Sequence, residues 1–167
     1  MIQKKVCMLG AFATGKTSLV RQFVHSLFDE RYHTTVGVKI DRKEVRVGDV
    51  DVNVLLWDLA GEDDFQSVQP MYLRGASALV FVVDGTRAST LEKARSLFEL
   101  AETVVGTVPS VVALNKSDLT IDWELSGSET AELTSAERKV LKTSAKTGLG
   151  VQDMFHWLAE AMVTRHE

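Results

Sequence analysis

Eight consecutive residues near the start of the chain have the types and spacing needed to hold phosphate. They run Gly10-Ala11-Phe12-Ala13-Thr14-Gly15-Lys16-Thr17 and fit the pattern G-x-x-x-x-G-K-[ST]. Glycines let the backbone approach an anion closely, and the amides at a helix start carry partial positive charge. Lys16 would place a full charge on the β- and γ-phosphates, and the Thr17 hydroxyl is a hard ligand suited to Mg²⁺. We therefore predict a nucleotide-phosphate and magnesium site formed by Gly10, Ala13, Thr14, Gly15, Lys16, Thr17 and Ser18.

A second polar segment, Asn115-Lys116-Ser117-Asp118, follows the apolar run Val111 to Leu114. The Asp118 carboxylate can accept from the N1–H and 2-amino groups that guanine offers side by side, a pair that adenine lacks. A site built on such hydrogen bonds discriminates strongly between bases. Alone, the segment also fits an ordinary turn after a strand. Downstream of a phosphate motif, it predicts that Asn115, Lys116 and Asp118 bind guanine.

A third segment, Thr143-Ser144-Ala145-Lys146, supports the same choice of base. The backbone N–H of Ala145 would donate to the guanine O6, where adenine carries an amino group, and Ser144 would brace the loop. The alternative is another turn at the end of a strand. We include Ser144, Ala145 and Lys146 among the predicted nucleotide-binding residues.

Apolar runs that alternate with amphipathic stretches must position these segments. Short, wholly apolar runs such as Leu79 to Val83 are typical of strands covered on both faces. Val38 to Val47 and Val50 to Trp57, separated by Gly48-Asp49, indicate an antiparallel hairpin. The order β-α-β-β-α-β-α-β-α-β-α predicts an α/β fold. Its sheet would have six strands, mostly parallel with one antiparallel edge strand, and helices on both faces.

Every polar segment described above follows the carboxyl end of a predicted strand, where such sheets bind their ligands. The stretch Trp123 to Thr134 occupies the place of a fourth helix. We expect Ser126-Gly127-Ser128 to interrupt that helix.

Composition excludes several other classes of protein. The chain has 167 residues, 45% of them hydrophobic and 25% charged, as in one globular domain. Its formal net charge is −4 with no basic block, so we expect no nucleic-acid partner. Cys7 lies in an apolar run and is expected to be a buried core residue. The single cysteine favours a reduced, intracellular setting, so we expect a cytoplasmic location. The last residues offer no cysteine for prenylation, so we expect no lipid anchor in this sequence, and either the protein is soluble or a C-terminal tail was removed. We also expect a monomer.

With these motifs in this order, the chain resembles the Ras superfamily of small GTPases over essentially its whole length. Thr35-Val36-Gly37, Leu56-Trp57-Asp58 and Tyr72-Leu73-Arg74-Gly75-Ala76 are most similar to the Rab-like branch. Soluble Ras-like GTPases of prokaryotes also fit. The resemblance implies a P-loop NTPase fold, a single G domain over residues 1–167, and binding of GTP or GDP with Mg²⁺.

The resemblance also implies roles for residues outside the first three segments. Phe28 would pack against the guanine face, or else serve only as core packing. Thr35 would complete the Mg²⁺ shell when GTP is bound, and Asp58 would hold the ion through a water. Gly61, in the motif Asp58-Leu59-Ala60-Gly61, would sense the γ-phosphate. Effectors and regulators would contact the switch segments, at about residues 29–40 and 58–75, which release when the phosphate is lost.

Two residues depart from the family pattern. Glu62 stands where family members carry a glutamine that orients the attacking water, and a carboxylate offers no N–H donor there. Phe12 stands where relatives have a small or polar residue, and its benzyl group would crowd an arginine supplied by a partner. Among Lys16, Thr35, Gly61 and Glu62, the predicted catalytic residues, Glu62 is therefore the one expected to slow hydrolysis. Alternatively, Glu62 points outward and another group, or a partner, positions the water. The acidic run Glu62-Asp63-Asp64 also fits a solvated face or a partner-contact surface.

The leading hypothesis is therefore a GTPase switch with slow intrinsic hydrolysis. The alternative is a pseudo-GTPase scaffold that holds a nucleotide without hydrolysing it. A P-loop ATPase or kinase is a third possibility, and Asp118 argues against it.

Overall fold

The computed structural model describes residues 1–29, 37–60 and 68–166, and within them strands and helices alternate in the predicted order. The elements are β1 (Ile2–Gly10), α1 (Lys16–His25), β2 (Val38–Val47), β3 (Val50–Leu59), α2 (Pro70–Leu73), β4 (Ala78–Asp84), α3 (Ser89–Val105), β5 (Ser110–Asn115), α4 (Gly127–Ala131), β6 (Arg138–Lys142) and α5 (Val151–His166).

The strands form one six-stranded sheet in the order β2-β3-β1-β4-β5-β6. All neighbouring pairs are parallel except β2 and β3, which form the predicted antiparallel hairpin with Val47 opposite Val50. The predicted fold class is confirmed. The connection from β1 leads through α1 to β2 and β3 on one side of β1, and the connection from β3 crosses to β4 on its other side. Such a switch point opens a crevice at the carboxyl end of β1, where Gly10 begins the phosphate loop.

Two apolar clusters cover the two faces of the sheet. On β1, Val6 and Met8 belong to the cluster that contains α1 and α5, whereas Cys7 and Leu9 belong to the cluster that contains α3. This alternation follows from the two-residue period of a strand. Helices therefore pack on both faces, and the strand ends carry the polar segments. Cys7 is buried in the core, as predicted.

The prediction for the fourth helix was wrong. Ser126-Gly127-Ser128 does not interrupt a helix but begins one, since α4 starts at Gly127. The Ser126 hydroxyl accepts from the Glu129 N–H at 3.1 Å, and the Glu129 carboxylate accepts from the Ser126 N–H at 3.1 Å. This reciprocal pair is a capping box, which fixes the start of a helix.

Candidate functional site

The phosphate loop leaves β1 in a conformation that few residues other than glycine adopt. Gly10 has φ +156°, and a Cβ there would lie 2.5 Å from the Val82 carbonyl oxygen of β4. Gly15 has φ +101° and is the N-cap of α1, so it contributes no side-chain acceptor to the first amides of that helix. Those amides and the tight loop form a cradle that suits an anion. Ser18 lies in the first turn of the same helix.

Lys16 is buried against the loop that it follows. Its Nζ donates to the backbone carbonyls of Gly10 at 3.2 Å and Ala11 at 3.1 Å. Burial lowers the pKa of the Lys16 ammonium from its usual value to about 8, Asp58 opposes that shift, and the charge of Arg87 adds to it. A phosphate at this loop would supply the negative charge that stabilises the ammonium.

Two residues predicted to hold Mg²⁺ meet beside this loop. The Thr17 hydroxyl donates to Oδ2 of Asp58 at 2.5 Å, although 41 residues separate them in sequence. Parallel pairing of β1 with β3 brings them together, since it places Met8 opposite Asp58. A hydroxyl and a buried carboxylate supply the hard oxygen atoms that Mg²⁺ prefers, so the residues present fit the ion.

Asn115 joins the predicted base segment to the phosphate loop. Its Nδ2 donates to the Thr14 carbonyl at 3.0 Å, and its Oδ1 accepts from the Thr143 hydroxyl at 3.2 Å and the Ala145 N–H at 3.3 Å. Thr14 itself is buried and donates from its hydroxyl to the Ala11 carbonyl at 3.0 Å. The buried side-chain amide of Asn115 therefore fixes the positions of the phosphate loop, the base segment and the Thr143–Lys146 segment relative to one another.

Lys116 makes a second connection between the same regions. Its Nζ donates to the Ala13 carbonyl at 3.0 Å and forms an ion pair with Oδ2 of Asp84 at 2.8 Å. Lys116 and Ala13 both have left-handed backbones, with φ of 66° and 65°. Such a conformation is costly for a residue with a Cβ and is often found at functional sites.

Asp118 is exposed, and Ser144 fixes its orientation. The Ser144 hydroxyl donates to Oδ1 of Asp118 at 2.8 Å and accepts from the Thr147 N–H at 3.1 Å, which is the bracing contact expected of Ser144. Gln22 of α1 donates from Nε2 to the Ala145 carbonyl at 2.7 Å. The contact of the Ala145 N–H with a guanine O6 stays a prediction, because that N–H donates to Asn115 in this structure.

Of the remaining predicted site residues, the structure describes Phe28 and Lys146. Phe28 follows α1 and belongs to neither described apolar cluster, which disfavours a role in core packing. Lys146 is exposed. Thr35, Gly61 and Glu62 lie outside the described residues, as do parts of both segments expected to bind partners.

Sequence reasoning missed two residues of this site, Asp84 and Arg87. Asp84 ends β4 beside β1, and it accepts hydrogen bonds from Thr86 and Arg87 as well as from Lys116. Burial alone would raise the pKa of Asp84, but the hydrogen bonds from Lys116, Thr86 and Arg87 outweigh it and hold the pKa below its usual value. A carboxylate directly after the apolar run Leu79 to Val83 was the available signal.

A model of the Ras family matches residues 5–164. The chain belongs to the Ras family. This Ras-family protein is 34% identical over 165 residues to the Ras-related protein RABF2a of Arabidopsis thaliana, covering 96% of this chain and 82% of that protein. It is also 34% identical over 165 residues to the GTP-binding protein ypt5 of Schizosaccharomyces pombe, covering 96% of this chain and 78% of that protein. Rab-31 of Rattus norvegicus is 33% identical over 157 residues, with coverage of 93% and 80%.

These similarities make the Ras-family chain a Rab-like small GTPase. Members of the family bind GTP or GDP with Mg²⁺, hydrolyse GTP and interact with effectors and regulators. The described stretches of the chain include no helix that has both the length and the apolar character to span a membrane.

Proposed function

We propose that this Ras-family protein is a guanine-specific switch that hydrolyses GTP slowly. The observation that carries the proposal is the pair of contacts from the base segment to the phosphate loop, Asn115 Nδ2 to the Thr14 carbonyl and Lys116 Nζ to the Ala13 carbonyl, each at 3.0 Å. They hold a phosphate cradle and an exposed, oriented carboxylate at one edge of the sheet. One nucleotide contacting both regions accounts for this arrangement.

The proposed roles combine the chemistry of each group with what membership of the Ras family implies for Phe28, Thr35, Asp58 and Gly61. Lys16 and the amides of the phosphate loop bind the phosphates, and Asn115, Lys116, Asp118, Ser144, Ala145 and Lys146 select and orient the base. Thr17 and Asp58, with Thr35, hold Mg²⁺, which neutralises phosphate charge when bound. Gly61 reports the γ-phosphate, and Phe28 packs on the guanine.

Slow hydrolysis follows from Glu62 and Phe12. Water is normally oriented by a side chain that can both donate and accept, and an ionised carboxylate cannot donate. Phe12 is 40% exposed, so its ring lies at the surface of the phosphate loop, where an activating group would enter. The pseudo-GTPase alternative is favoured by the same two residues.

Two side chains support partner binding through the switch segments. Ile40 is 50% exposed and Met71 is 64% exposed, and each lies in one of the segments expected to contact effectors and regulators. Large exposed apolar side chains at such positions favour protein contacts.

The test combines binding with a single round of hydrolysis. With Mg²⁺ present, we expect GDP and GTP to bind far more tightly than ADP and ATP, since a wrong base leaves Asp118 without donors. Hydrolysis of GTP should proceed at or below about 10⁻⁴ s⁻¹, and Glu62→Gln should accelerate it. Equal affinity for ADP would refute guanine specificity. Tight GTP binding with no phosphate release would favour the pseudo-GTPase. If Glu62→Gln hydrolyses GTP no faster than wild type, Glu62 is not the cause of slow hydrolysis.

A further inference from the structure

Arg87 lies in the short connection between β4 and α3, and its side chain reaches the phosphate loop. Its Nε donates to Oδ2 of Asp84 at 3.0 Å, and its Nη2 donates to the backbone carbonyl of Phe12 at 2.7 Å. The Arg87 side chain is 41% exposed, whereas that of Asp84 is 1% exposed. A buried carboxylate therefore fixes one end of the guanidinium, and the other end lies at the surface of the phosphate loop.

The backbone around Arg87 is held by its neighbours. The Arg87 N–H donates to the Asp84 carbonyl at 2.9 Å, and the Ala88 N–H donates to Oε1 of Glu124 at 2.7 Å. The Trp123 ring packs so closely on Gly85 that a Cβ there would overlap it. These contacts hold the Arg87 backbone in place before any ligand arrives, so only the end of the side chain has to move toward one.

The charged groups around Arg87 carry a net positive charge, which would attract an anion. Asp84 carries one negative charge but faces two cations, Lys116 at 2.8 Å and Arg87 at 3.0 Å. In the described part of the chain, Arg87 forms an ion pair with no other carboxylate. The Phe12 carbonyl is neutral, so it accepts a hydrogen bond without balancing the charge.

We propose that Arg87 is a built-in catalytic arginine, which moves its Nη2 group from the Phe12 carbonyl to an oxygen of the terminal phosphates of GTP. The inference rests on the proposed function, because it names a further residue of the same site. An arginine supplied by a partner plays this part in other GTPases. In this chain the 40% exposed Phe12 would crowd the entry of such a partner, whereas Arg87 reaches the phosphate loop from within the protein.

The reaction served by Arg87 is ordinary hydrolysis. A water oxygen forms a bond to the γ-phosphorus, the bond to the β–γ bridging oxygen breaks, and its electron pair stays on GDP. The water releases a proton to solvent, and inorganic phosphate leaves. Arg87 keeps its proton throughout and stabilises the charge that gathers on the phosphate oxygens.

The competing role for Arg87 is a structural clamp that only holds the Phe12 backbone. If Arg87 is a clamp, its removal should lower the affinity for GDP and for GTP equally, because the phosphate loop binds both nucleotides. If Arg87 is catalytic, its removal should chiefly lower the affinity for nucleotides that carry a γ-phosphate and the rate of hydrolysis. The two roles are therefore separated by comparing ligands rather than by activity alone.

The experiment measures single-turnover GTP hydrolysis and GDP affinity of the wild type, Arg87→Ala and Arg87→Lys with Mg²⁺. Arg46→Ala is the matched control, since Arg46 is exposed and its ion pair among the described residues is local, with Asp51 at 3.0 Å in the β2–β3 hairpin. Arg87→Ala should slow hydrolysis by about 100-fold, at the lower end of the range for lost transition-state donors. Its GDP affinity should change by less than about threefold, Arg87→Lys should be intermediate, and the control should match wild type.

A second measurement separates failure of this proposal from failure of the proposed function. The ratio of GTPγS to GDP affinity needs no hydrolysis, and Arg87→Ala should lower it by about tenfold, which is about 1.4 kcal/mol. An unchanged ratio together with unchanged hydrolysis would overturn the catalytic arginine, as would equal losses of GDP and GTPγS affinity. Binding of adenine nucleotides equal to that of guanine nucleotides would overturn the proposed function whatever Arg87 does, and a wild type that binds no guanine nucleotide would overturn both.

Discussion

Asp84 Oδ2 lies 2.8 Å from Lys116 Nζ, and this ion pair joins the end of β4 to the segment that follows β5. The two strands are parallel neighbours, with Asp84 opposite Asn115. The same carboxylate also accepts a hydrogen bond from Arg87. Asp84 therefore orients both Lys116, which donates to the Ala13 carbonyl, and Arg87, which donates to the Phe12 carbonyl. Asp84 is thus the residue through which the base segment and the phosphate loop are electrostatically coupled.

Replacing Asp84 by asparagine should destabilise the protein and accelerate GDP release. Breaking a buried ion pair costs about 3–5 kcal/mol, and the partial exposure of Lys116 reduces the expected loss to about 2 kcal/mol in unfolding free energy. Urea denaturation at pH 7 measures it. Asp41→Asn is the control, because Asp41 pairs with the exposed Lys39 at 3.6 Å and should change stability by less than about 0.5 kcal/mol.

The stability difference between wild type and Asp84→Asn should depend on pH in one direction. The folded-state pKa of Asp84 is lowered below its ordinary value of 3.8, so the unfolded state binds the proton more readily. The contribution of Asp84 is therefore fully present above about pH 3.8 and is lost as the pH falls through the lower folded-state pKa. Unfolding free energies of both proteins should differ equally at pH 7 and pH 5 and converge at lower pH. A constant gap down to complete protonation would show that the carboxylate charge is not the stabilising feature.

Asp118→Asn should change the preferred base rather than abolish nucleotide binding. Two charge-assisted hydrogen bonds to guanine, each worth about 1.5–3 kcal/mol, would be weakened, so GDP affinity should fall by about 100-fold or more. Xanthine carries an oxygen in place of the 2-amino group, and the asparagine amide can donate to it, so XDP affinity should rise. Competition binding measures both. Asp122→Asn is the control on the same exposed loop, and an Asp118→Asn variant that keeps its preference for GDP would contradict the assignment.

Thr17→Ala should remove the dependence of GDP retention on Mg²⁺. In the wild type, we expect chelation of Mg²⁺ by EDTA to accelerate GDP release by at least about tenfold, which corresponds to about 1.4 kcal/mol. Thr17→Ala loses a hydroxyl ligand next to Asp58, so its release should already be fast and should respond little to EDTA. Thr103→Ala should behave like wild type, because the Thr103 hydroxyl donates to the Glu99 carbonyl of its own helix at 2.9 Å and lies far from the phosphate loop in sequence. Equal responses of Thr17→Ala and wild type to EDTA would place the ion elsewhere.

Reducing the side chain at position 12 should accelerate GTP hydrolysis. Phe12→Gly should increase the single-turnover rate by about tenfold, which is a fall of about 1.4 kcal/mol in the barrier. The backbone carbonyl that accepts from Arg87 is retained in every variant, so a series of Gly, Ala and Leu at this position isolates the bulk of the ring. Rates should fall in that order toward the wild type. A flat series would show that the ring does not restrict the reaction.

The sequence by itself determined which chemistry the chain carries and the order of its elements. Two local patterns predict nucleotide binding from residue type and spacing alone. One is the glycine-containing loop with Lys16 and Thr17, and the other is the polar segment that follows an apolar run and ends at Asp118. The β2–β3 hairpin is equally local, because a two-residue connection at Gly48-Asp49 leaves only one way to pair. Alternation along the chain was enough to predict a mostly parallel sheet.

Local sequence patterns gave a wrong prediction for α4 and did not predict the hydrogen bonds that connect the segments of the site. Ser126-Gly127-Ser128 has the composition of a break, yet side-chain capping makes it a helix start. The contacts of Asn115 with Thr14, Lys116 with Ala13, and Arg87 with Phe12 join residues 101, 103 and 75 positions apart. Only the lateral order β1-β4-β5 brings them together, and that order comes from the packing of helices on both faces of the sheet rather than from any single segment. Asp84 and Arg87 therefore became part of the site only in the folded protein.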